Sequence, residues 1–292
     1  MPYKVYTDTN KPTTMNVIKS THLLLAICLS AHLTGCGSDN DEQPGQPVID
    51  RVEEVVFFDD FTSFNSAYWT KETHEAGWTN QELQSYETSQ VTIGKDGDKS
   101  VLILTAKRTG DNIVSGRVNS KNKKSFKHGK IEASIKIPAT ANGLWPAFWM
   151  MGNNNREWPA CGEIDIMEMG DAQGIASATT TTRVNTAIHY GADVASHEQQ
   201  YHASDAVGSL QDGNYHTYAL LWNESNLEIF IDGNKFHSFD ITGNSYFNDS
   251  FYLLFNLAVG GVFTGINDID GITALTDGES ASMYIDWVRV TR

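Results

Sequence analysis

Apolar and polar residues alternate over short runs of this chain, and this alternation constrains its fold more than any other feature. Between Ile131 and Ile137 every second residue is apolar, and Glu132, Ser134 and Lys136 lie between them. Successive side chains of a β-strand point to opposite faces, so a period of two predicts a strand with one face in the core and one in water. No segment carries a long helical period, which leaves strands as the main element.

Further strand patterns follow along the chain and are separated by turn residues. Val101–Ala106 is a continuous apolar run, and Met283–Val290 is a strand pattern near the end of the chain. Within Leu227–Phe239 the pair Asp232-Gly233 separates two strand-like runs, which is typical of a two-residue hairpin. Many short strands joined by turns predict an all-β fold built as a two-sheet sandwich.

The charge and the cysteines narrow the class of protein. The formal net charge is −15, so the electrostatic field repels nucleic acid and disfavours a polyanionic substrate. The three cysteines, Cys28, Cys36 and Cys161, lie in separate parts of the chain. If the first is removed and the second is modified, one thiol remains, so the core rather than a disulfide network has to hold the fold.

The beginning of the chain has the pattern of a secretory signal. His22–Leu33 is apolar but too short to span a bilayer comfortably, which takes about 20 residues. Lys19 precedes this run, and Leu33-Thr34-Gly35-Cys36 follows it. We therefore predict a signal peptide over residues 1–35, with Met15 as a possible true start.

The end of this signal, Leu-Thr-Gly-Cys, resembles a bacterial lipobox, and the resemblance implies lipidation of Cys36 after cleavage. An ordinary signal peptide with a chance cysteine is the alternative. Gly37–Pro47 is rich in polar residues, Gly and Pro, so we expect residues 36–48 to form the lipidated cysteine and a flexible tether. The domain is expected over residues 49–292, as a monomer held at the bacterial cell envelope only through the lipid, or secreted.

Three acids, Glu163, Asp165 and Glu168, lie within six positions of the segment GEIDIMEMG, residues 162–170. Strand alternation puts Glu163 and Asp165 on one face, but Glu168 is five positions from Glu163 and would point into the core. An unpaired buried carboxylate is costly. One extra residue near Ile166 or Met167 would return Glu168 to the face of the other two acids, so the sequence predicts a β-bulge.

Carboxylates in such a row suit the cleavage of a glycosidic bond. In a retaining glycosidase two carboxyl groups stand about 5–5.5 Å apart, and one attacks the anomeric carbon while the other protonates the leaving oxygen. Asp165, between the two glutamates, would tune their pKa values through like-charge coupling. Taken by itself, the row fits a calcium site or an exposed acidic strand equally well.

The pattern Glu-x-Asp-x-x-Glu resembles the signature of family 16 glycoside hydrolases in its bulge-containing form. Seven segments resemble the laminarinase branch of that family, in the same order: Trp78–Tyr86, Ser115–Lys121, Gly143–Gly152, Trp158–Gly170, Ala187–Gly191, Asn256–Gly265 and Ile285–Val290. The resemblance implies a β-jelly-roll sandwich with a substrate cleft on its concave face. It also implies a retaining mechanism without a cofactor, with Glu163 as nucleophile, Glu168 as general acid/base and Asp165 assisting.

Tryptophans near the acids are candidates for sugar contacts. Trp145 and Trp149 share one face of a strand pattern whose other face carries Leu144, Phe148 and Met150. Pyranose rings stack on indole, and the family uses these positions in its cleft, so both are expected to contact sugar. The alternative is that both belong to the core. Trp158 is a further candidate.

Polar residues in the resembling segments complete the predicted cleft. Arg117 and Asn80 are expected to hydrogen-bond sugar hydroxyls, and His189 is expected either to touch sugar near the leaving-group side or to be structural. Phe263 stands where the family usually has Trp, which implies weaker stacking at that end. The family also often binds calcium on the far face, where Asp286 matches a ligand and Asp60 would be its neighbour.

The resemblance predicts retaining endo-hydrolysis of β-1,3-glucan, a laminarin-type polysaccharide. A family 16 hydrolase of agar, carrageenan or mixed-linkage glucan is the first alternative. A non-catalytic β-glucan-binding module is the second, but such relatives lose the acids that are all present here.

Overall fold

The structure is a computed structural model that describes residues 53–292. The predicted signal peptide, Cys36, the tether and residues 49–52 lie outside the described residues, so these remain predictions. Within residues 53–292, no helix is long and apolar enough to cross a membrane.

Strands dominate the described chain, as the alternation predicts, and the only α-helix among the described residues is α1 (Ala172–Ser177). Short 3-10 turns lie at Thr88–Gln90, Val194–Ser196, Ser245–Phe247 and Ile269–Gly271. The strands are β1 (Val55–Asp59), β2 (Thr70–Lys71), β3 (Ser85–Tyr86), β4 (Val91–Asp96), β5 (Lys99–Thr109), β6 (Asn112–Ser115), β7 (Arg117–Asn119), β8 (Ser125–Phe126), β9 (Gly129–Lys136), β10 (Leu144–Gly152), β11 (Glu163–Glu168), β12 (Arg183–Tyr190), β13 (Glu198–Asp205), β14 (His216–Trp222), β15 (Asn226–Ile231), β16 (Asn234–Asp240), β17 (Phe251–Val259) and β18 (Ser280–Thr291).

These strands form two sheets. The larger sheet has the order β16-β15-β14-β9-β18-β5-β6-β3, with β1 paired to β18 and β4 paired to β5. The smaller sheet has the order β13-β12-β11-β10-β17-β7-β2, with β8 paired to β17. The pairing is antiparallel except between β3 and β6. The two-sheet all-β sandwich predicted from the sequence is therefore confirmed.

The core lies between the two sheets, and β17 contributes alternate side chains to the core and to the opposite face of the smaller sheet. Phe251, Leu253, Phe255, Leu257 and Val259 belong to the core cluster. The alternate residues, which include Asn256, lie on the opposite face of the smaller sheet and are buried as well. That opposite face, here called the cleft face, carries the predicted site.

Two details of the strand predictions were tested by the structure. The hairpin is confirmed, because Ile231 pairs with Asn234 and both Asp232 and Gly233 have positive φ, as the preferred two-residue turn requires. The expected wet face of β9 is wrong for Glu132 and Ser134, which are buried. β9 lies between β14 and β18, where Lys130 and Arg289 pair with the Glu132 carboxylate and cover it.

Candidate active site

The three acids lie on one strand, β11, and a bulge aligns them. Asp165 pairs with Ala187, and Glu168 pairs with Asn185. The chain therefore advances three residues along β11 but only two along β12. The register against β10 shifts in the same stretch. The predicted extra residue is thus confirmed, and Glu168 lies on the cleft face with the other two acids.

The apolar residues of β11 explain why the bulge is stable. Ile164, Ile166, Met167 and Met169 are all fully buried in the core. A regular strand would turn one of them, or Glu168, to the wrong side of the sheet. The bulge lets every apolar side chain of this segment pack inside and every acid stay outside the core.

Burial makes the acid row electrostatically unusual. Loss of water around the carboxyl groups raises the pKa of Glu163, Asp165 and Glu168, each to about 8. Repulsion from Asp165 adds to this rise for both glutamates. The row therefore retains protons at a pH at which exposed carboxyl groups have lost them.

The two glutamates have different neighbours. The positive charges of His189 and Arg117 favour the ionised form of Glu163 and work against its raised pKa. Glu168 accepts a hydrogen bond from the Trp145 indole, with 2.8 Å between Nε1 and Oε1, and feels the like charges of Asp165 and Asp171. The pKa of both carboxyl groups is raised to about 8, so they differ in their neighbours and not in the size of that rise.

His189 lies beside the acid row rather than at its far end. It pairs with Glu163 across β11 and β12. Its Nε2 atom is 3.2 Å from Asp165 Oδ2 and 3.8 Å from Glu163 Oε1. The ligating atoms of these three residues all lie within 4.8 Å of one another, so within residues 53–292 they form a group with the spacing to hold a metal ion.

Trp145 and Trp149 share the cleft face, as predicted, but they differ in their surroundings. The Trp145 ring is stacked on Phe263, with 4.5 Å between ring centroids and an angle of 16° between planes, so one of its faces is covered. Trp149 is partly exposed, and its Nε1 donates to Asn256 Oδ1 at 2.7 Å. The Trp145 indole therefore supports Glu168, whereas the contact of the Trp149 ring with sugar stays a prediction.

Arg117 is buried beneath the aromatic residues of the cleft face. Its guanidinium forms an ion pair with Glu72 and lies 4.8 Å from the Trp149 ring centroid and 5.3 Å from that of Trp78. The pKa of Arg117 is raised by the nearby negative charge of Glu72 against the effect of burial. Its hydrogen bonding to sugar, expected from the sequence, stays a prediction.

Asn80 lies in a tight loop against the Gly-Gly pair after β17. Asn80 and Gln81 both have positive φ, and the Asn80 carbonyl accepts a hydrogen bond from Val262 N at 2.8 Å. A Cβ on Gly261 would lie 2.6 Å from that carbonyl, so only glycine fits there. Backbone strain of this kind is typical of ligand sites.

Two exposed aromatic residues were missed as site candidates by sequence reasoning. Trp78 is 49% exposed and stacks on His74, with 3.5 Å between centroids. Tyr201, on β13, is 50% exposed, and its hydroxyl donates to Asn185 beside Glu168. Trp78 lies in the segment Trp78–Tyr86, which resembles the family, and this position could have marked it as a candidate. Nothing in the sequence placed Tyr201 near the acids.

Trp158 precedes β11 and lies by two histidines. Its ring centroid is 6.2 Å from that of His189 and 4.7 Å from that of His197. It is partly exposed, so it borders the cleft face next to Glu163. Cys161, in the same connection, is a buried free thiol whose pKa is raised by burial to about 11, so it packs as an inert side chain.

The residues proposed for calcium do not fit a calcium site in this structure. The Asp286 carboxylate accepts from the Lys99 ammonium at 2.5 Å, so a cation already neutralises it. Asp60 is exposed and accepts from the amide of Thr62. Calcium needs six to eight oxygen ligands, and a paired lysine competes with that requirement.

The family described as Glycosyl hydrolases family 16 matches residues 72–289. Among solved structures, a Bacteroides ovatus protein described as a mixed linkage glucan PUL GH16 in complex with a G4G4G3G product is 65% identical. It covers 80% of this chain and 99% of its own, with a TM-score of 0.80.

Curated relatives are more distant. The clotting factor G alpha subunit of Tachypleus tridentatus is 34% identical over 81% of this chain, and glucan endo-1,3-beta-glucosidase A1 of Niallia circulans is 30% identical over 85%. The match covers 34% and 39% of those two proteins, so this chain spans little more than a third of their length.

Proposed function

The chain belongs to glycosyl hydrolase family 16, and from this premise we propose that it is an endo-glucanase that cleaves mixed-linkage β-1,3/1,4-glucan with retention of configuration. The observation that carries the reaction type is the bulged acid row, which puts Glu163, Asp165 and Glu168 on one face. The identity of 65% to the B. ovatus protein supports the choice of glucan.

In this proposal Glu163 is the nucleophile. Burial and the neighbouring Asp165 raise its pKa to about 8, and the charges of His189 and Arg117 oppose that rise and favour its anion. Its carboxylate attacks the anomeric carbon and forms a covalent glycosyl-enzyme. Asp165 lies next to it on the same face, and both carboxyl groups lie near His189 Nε2, at 3.8 Å from Glu163 Oε1 and 3.2 Å from Asp165 Oδ2.

Glu168 is the proposed general acid and base. Burial raises its pKa to about 8, so it is protonated at neutral pH and can give its proton to the leaving oxygen. The Trp145 N–H fixes Oε1 and thereby orients the carboxyl group. After the leaving group departs, the same carboxylate takes a proton from the water that hydrolyses the glycosyl-enzyme.

Laminarin is the second candidate substrate. It is favoured by the resemblance of seven segments to the laminarinase branch and by the similarity to the N. circulans endo-1,3-beta-glucosidase. The bulge in β11 does not separate the two candidates.

The test is an assay of reducing ends released by the purified protein from mixed-linkage β-glucan, laminarin, agarose and carrageenan. We expect the highest kcat/KM on mixed-linkage glucan, with internal cleavage and a β-configured product in the first NMR spectra. Faster cleavage of laminarin would transfer the proposal to the second candidate. Release from agarose or carrageenan alone, or an α-configured first product, would contradict it.

A further inference from the structure

Tyr201, on the edge strand β13, is an exposed aromatic residue on the cleft face. It pairs with Ala187 on β12, and Ala187 pairs with Asp165 on β11. Residues paired in this way point to the same face of a sheet, and adjacent strands lie about 4.8 Å apart. Tyr201 is 50% exposed, so part of its ring is open to solvent two strands away from the acid row.

The hydroxyl group of Tyr201 has partners on β12 that fix the ring. It donates a hydrogen bond to Asn185 Oδ1, and the Arg183 side chain also hydrogen-bonds it. Arg183 is itself held, because its Nε donates to Asp171 Oδ2 at 2.9 Å. The Tyr201 side chain thus reaches from β13 across to β12, where the small side chain of Ala187 leaves room for it. Since the hydroxyl proton is already used, the ring face is what remains for a ligand.

These contacts place Tyr201 beside Glu168. Asn185, which accepts from the Tyr201 hydroxyl, pairs with Glu168 and donates its Nδ2 to the Glu168 carbonyl at 3.4 Å. Burial raises the pKa of Tyr201 to about 12, and the nearby negative charges of Asp171 and Glu168 add to the rise. The general acid protonates the leaving oxygen, so the leaving sugar lies on the side of this residue.

The strand order separates Tyr201 from the other aromatic residues of the cleft face. In the smaller sheet β12 and β13 follow β11 on one side, and β10, β17, β7 and β2 follow it on the other. Trp149 and Arg117 lie on that other side, on β10 and β7. A glucan chain that crosses the strands at β11 therefore meets Trp149 on one side of the acid row and Tyr201 on the other.

We propose that Tyr201 forms the floor of the first leaving-group subsite, and that the glucose ring whose oxygen Glu168 protonates stacks on it. The inference rests on the proposed function, since it names the residue that binds the half of the β-glucan not attached to Glu163. A β-linked glucose carries its hydroxyl groups at the ring edge and C–H groups on both faces, and those faces suit an aromatic ring.

The same subsite would hold a sugar that attacks the glycosyl-enzyme in place of water. In that step an acceptor hydroxyl bonds to the anomeric carbon, the ester bond to Glu163 breaks, and the hydroxyl proton passes to the Glu168 carboxylate. Binding of the acceptor to Tyr201 therefore favours transfer over hydrolysis, and this dependence can be measured.

The test fills the other side of the cleft first. A 2-deoxy-2-fluoro β-glycosyl fluoride of a short mixed-linkage glucan forms a slowly hydrolysed ester with the nucleophile, and intact-mass spectrometry detects it. Its leaving group, fluoride, is too small to use the Tyr201 ring. After the excess reagent is removed, cellobiose can enter only on the leaving-group side. Recovery of activity against cellobiose concentration then gives the half-saturating concentration for that side.

We expect cellobiose to speed recovery of the wild type and to reach saturation. In Tyr201→Ala the half-saturating concentration should rise by about fivefold or more, as loss of one stacking contact gives. The rate of trapping by the fluoride and the rate of recovery in water alone should stay near those of the wild type, because neither step places a sugar on Tyr201.

Two control variants separate the ring from other effects. Tyr201→Phe keeps the ring and loses the hydrogen bond to Asn185, so its half-saturating concentration should stay within about twofold of the wild type. Phe58→Ala removes an aromatic side chain of equal exposure, 50%, from β1 of the larger sheet, and should change none of the rates.

The possible failures are distinguishable. An unchanged half-saturating concentration in Tyr201→Ala, an equal rise in Tyr201→Phe, or wild-type recovery that does not depend on cellobiose overturns the subsite alone. Slower trapping of Tyr201→Ala with normal recovery would put the ring on the wrong side of the cleaved bond, and an equal loss in every step would show a structural role; both contradict the proposal. A wild type that is not labelled by the fluoride and cleaves no glucan overturns the proposed function, and the subsite with it.

Discussion

At the residue scale, the chemistry depends on which carboxyl group is charged, and Glu163 is the first residue to test. We expect Glu163→Gln to lower kcat by at least about a thousandfold, because the amide cannot attack the anomeric carbon. Binding of glucan oligosaccharides and the thermal unfolding temperature should stay near those of the wild type. Calorimetry measures the binding and the unfolding temperature, and a single-turnover assay measures the loss of the chemical step.

Rescue by azide distinguishes a lost nucleophile from a damaged fold. In Glu163→Ala the small anion fits the space of the carboxylate and should restore turnover, with an α-glycosyl azide as product. Glu168→Ala provides the comparison, since azide there should give the β-configured azide. A β-configured azide from Glu163→Ala would exchange the two assignments.

The buried acid row also predicts how stability varies with pH. The pKa of Asp165 is about 8 in the folded protein and about 4 in the unfolded chain. Between these values the folded state binds more protons, so stability falls as pH rises from about 4 to 8. Asp165→Asn removes this loss, and its melting temperature should exceed that of the wild type by about 2 °C or more at pH 8, and by less at pH 5.

The control for that measurement is Asp286→Asn, which removes a carboxylate paired with exposed Lys99 on the other sheet. Differential scanning calorimetry at both pH values compares the three proteins. The contrary result is a melting temperature of Asp165→Asn that falls below that of the wild type as pH rises. That result would show that Asp165 is ionised in the folded protein.

At the element scale, the bulge in β11 decides whether one strand can carry all three acids. Deleting Met167 leaves Glu-Ile-Asp-Ile-Glu, a regular strand with the acids still on one face. We expect this variant to fold, to lose about 2–5 kcal/mol of unfolding free energy with the buried side chain, and to keep measurable hydrolysis. Urea unfolding and the reducing-end assay test both expectations.

Met167→Ala is the matched control, because it removes similar core contacts and keeps the bulge. Inserting an alanine after Ile166 should instead turn Glu168 towards the core and abolish hydrolysis. Full activity of the insertion variant would contradict the account of the bulge and, with it, the role of Glu168.

A second bulge of the same kind lies in β18. Ile285 and Val288 are both fully buried although they are three positions apart, and the register against β9 shifts between Ile285 and Trp287. The extra residue is Asp286, which the bulge directs to Lys99. The odd spacing was visible in the sequence, but the lysine partner, 187 positions away, was not.

At the scale of the whole molecule, the predicted lipid anchor and tether lie outside the described residues and are tested by truncation. A protein beginning at residue 49 should be soluble, with the kcat/KM of the full-length form, because the core cluster of the described chain is formed by Phe57 and residues after it. The full-length Cys36→Ser variant should be absent from the membrane fraction, or its signal peptide should remain uncleaved. Wild-type protein found wholly in the soluble fraction, with another mature start, would show that the lipobox interpretation is wrong.

The sequence by itself determined the strands, the sandwich, the hairpin at Asp232-Gly233 and the bulge that aligns Glu163 with Glu168. These follow from periodicity, since a strand's own residues decide which side chains share a face. The cleft tryptophans could also be placed on a common face in this way.

Only the tertiary structure decided which residues meet across strands. Glu72 neutralises Arg117 from 45 positions away, Trp145 holds Glu168 from 23 positions away, and Lys99 occupies the carboxylate expected to bind calcium. His197 reaches His189 because a loop with Gly191 turns back between two paired strands. Alternation fixes a face but leaves strand order and register open, and these determine the neighbours that set charge and proton transfer in the site.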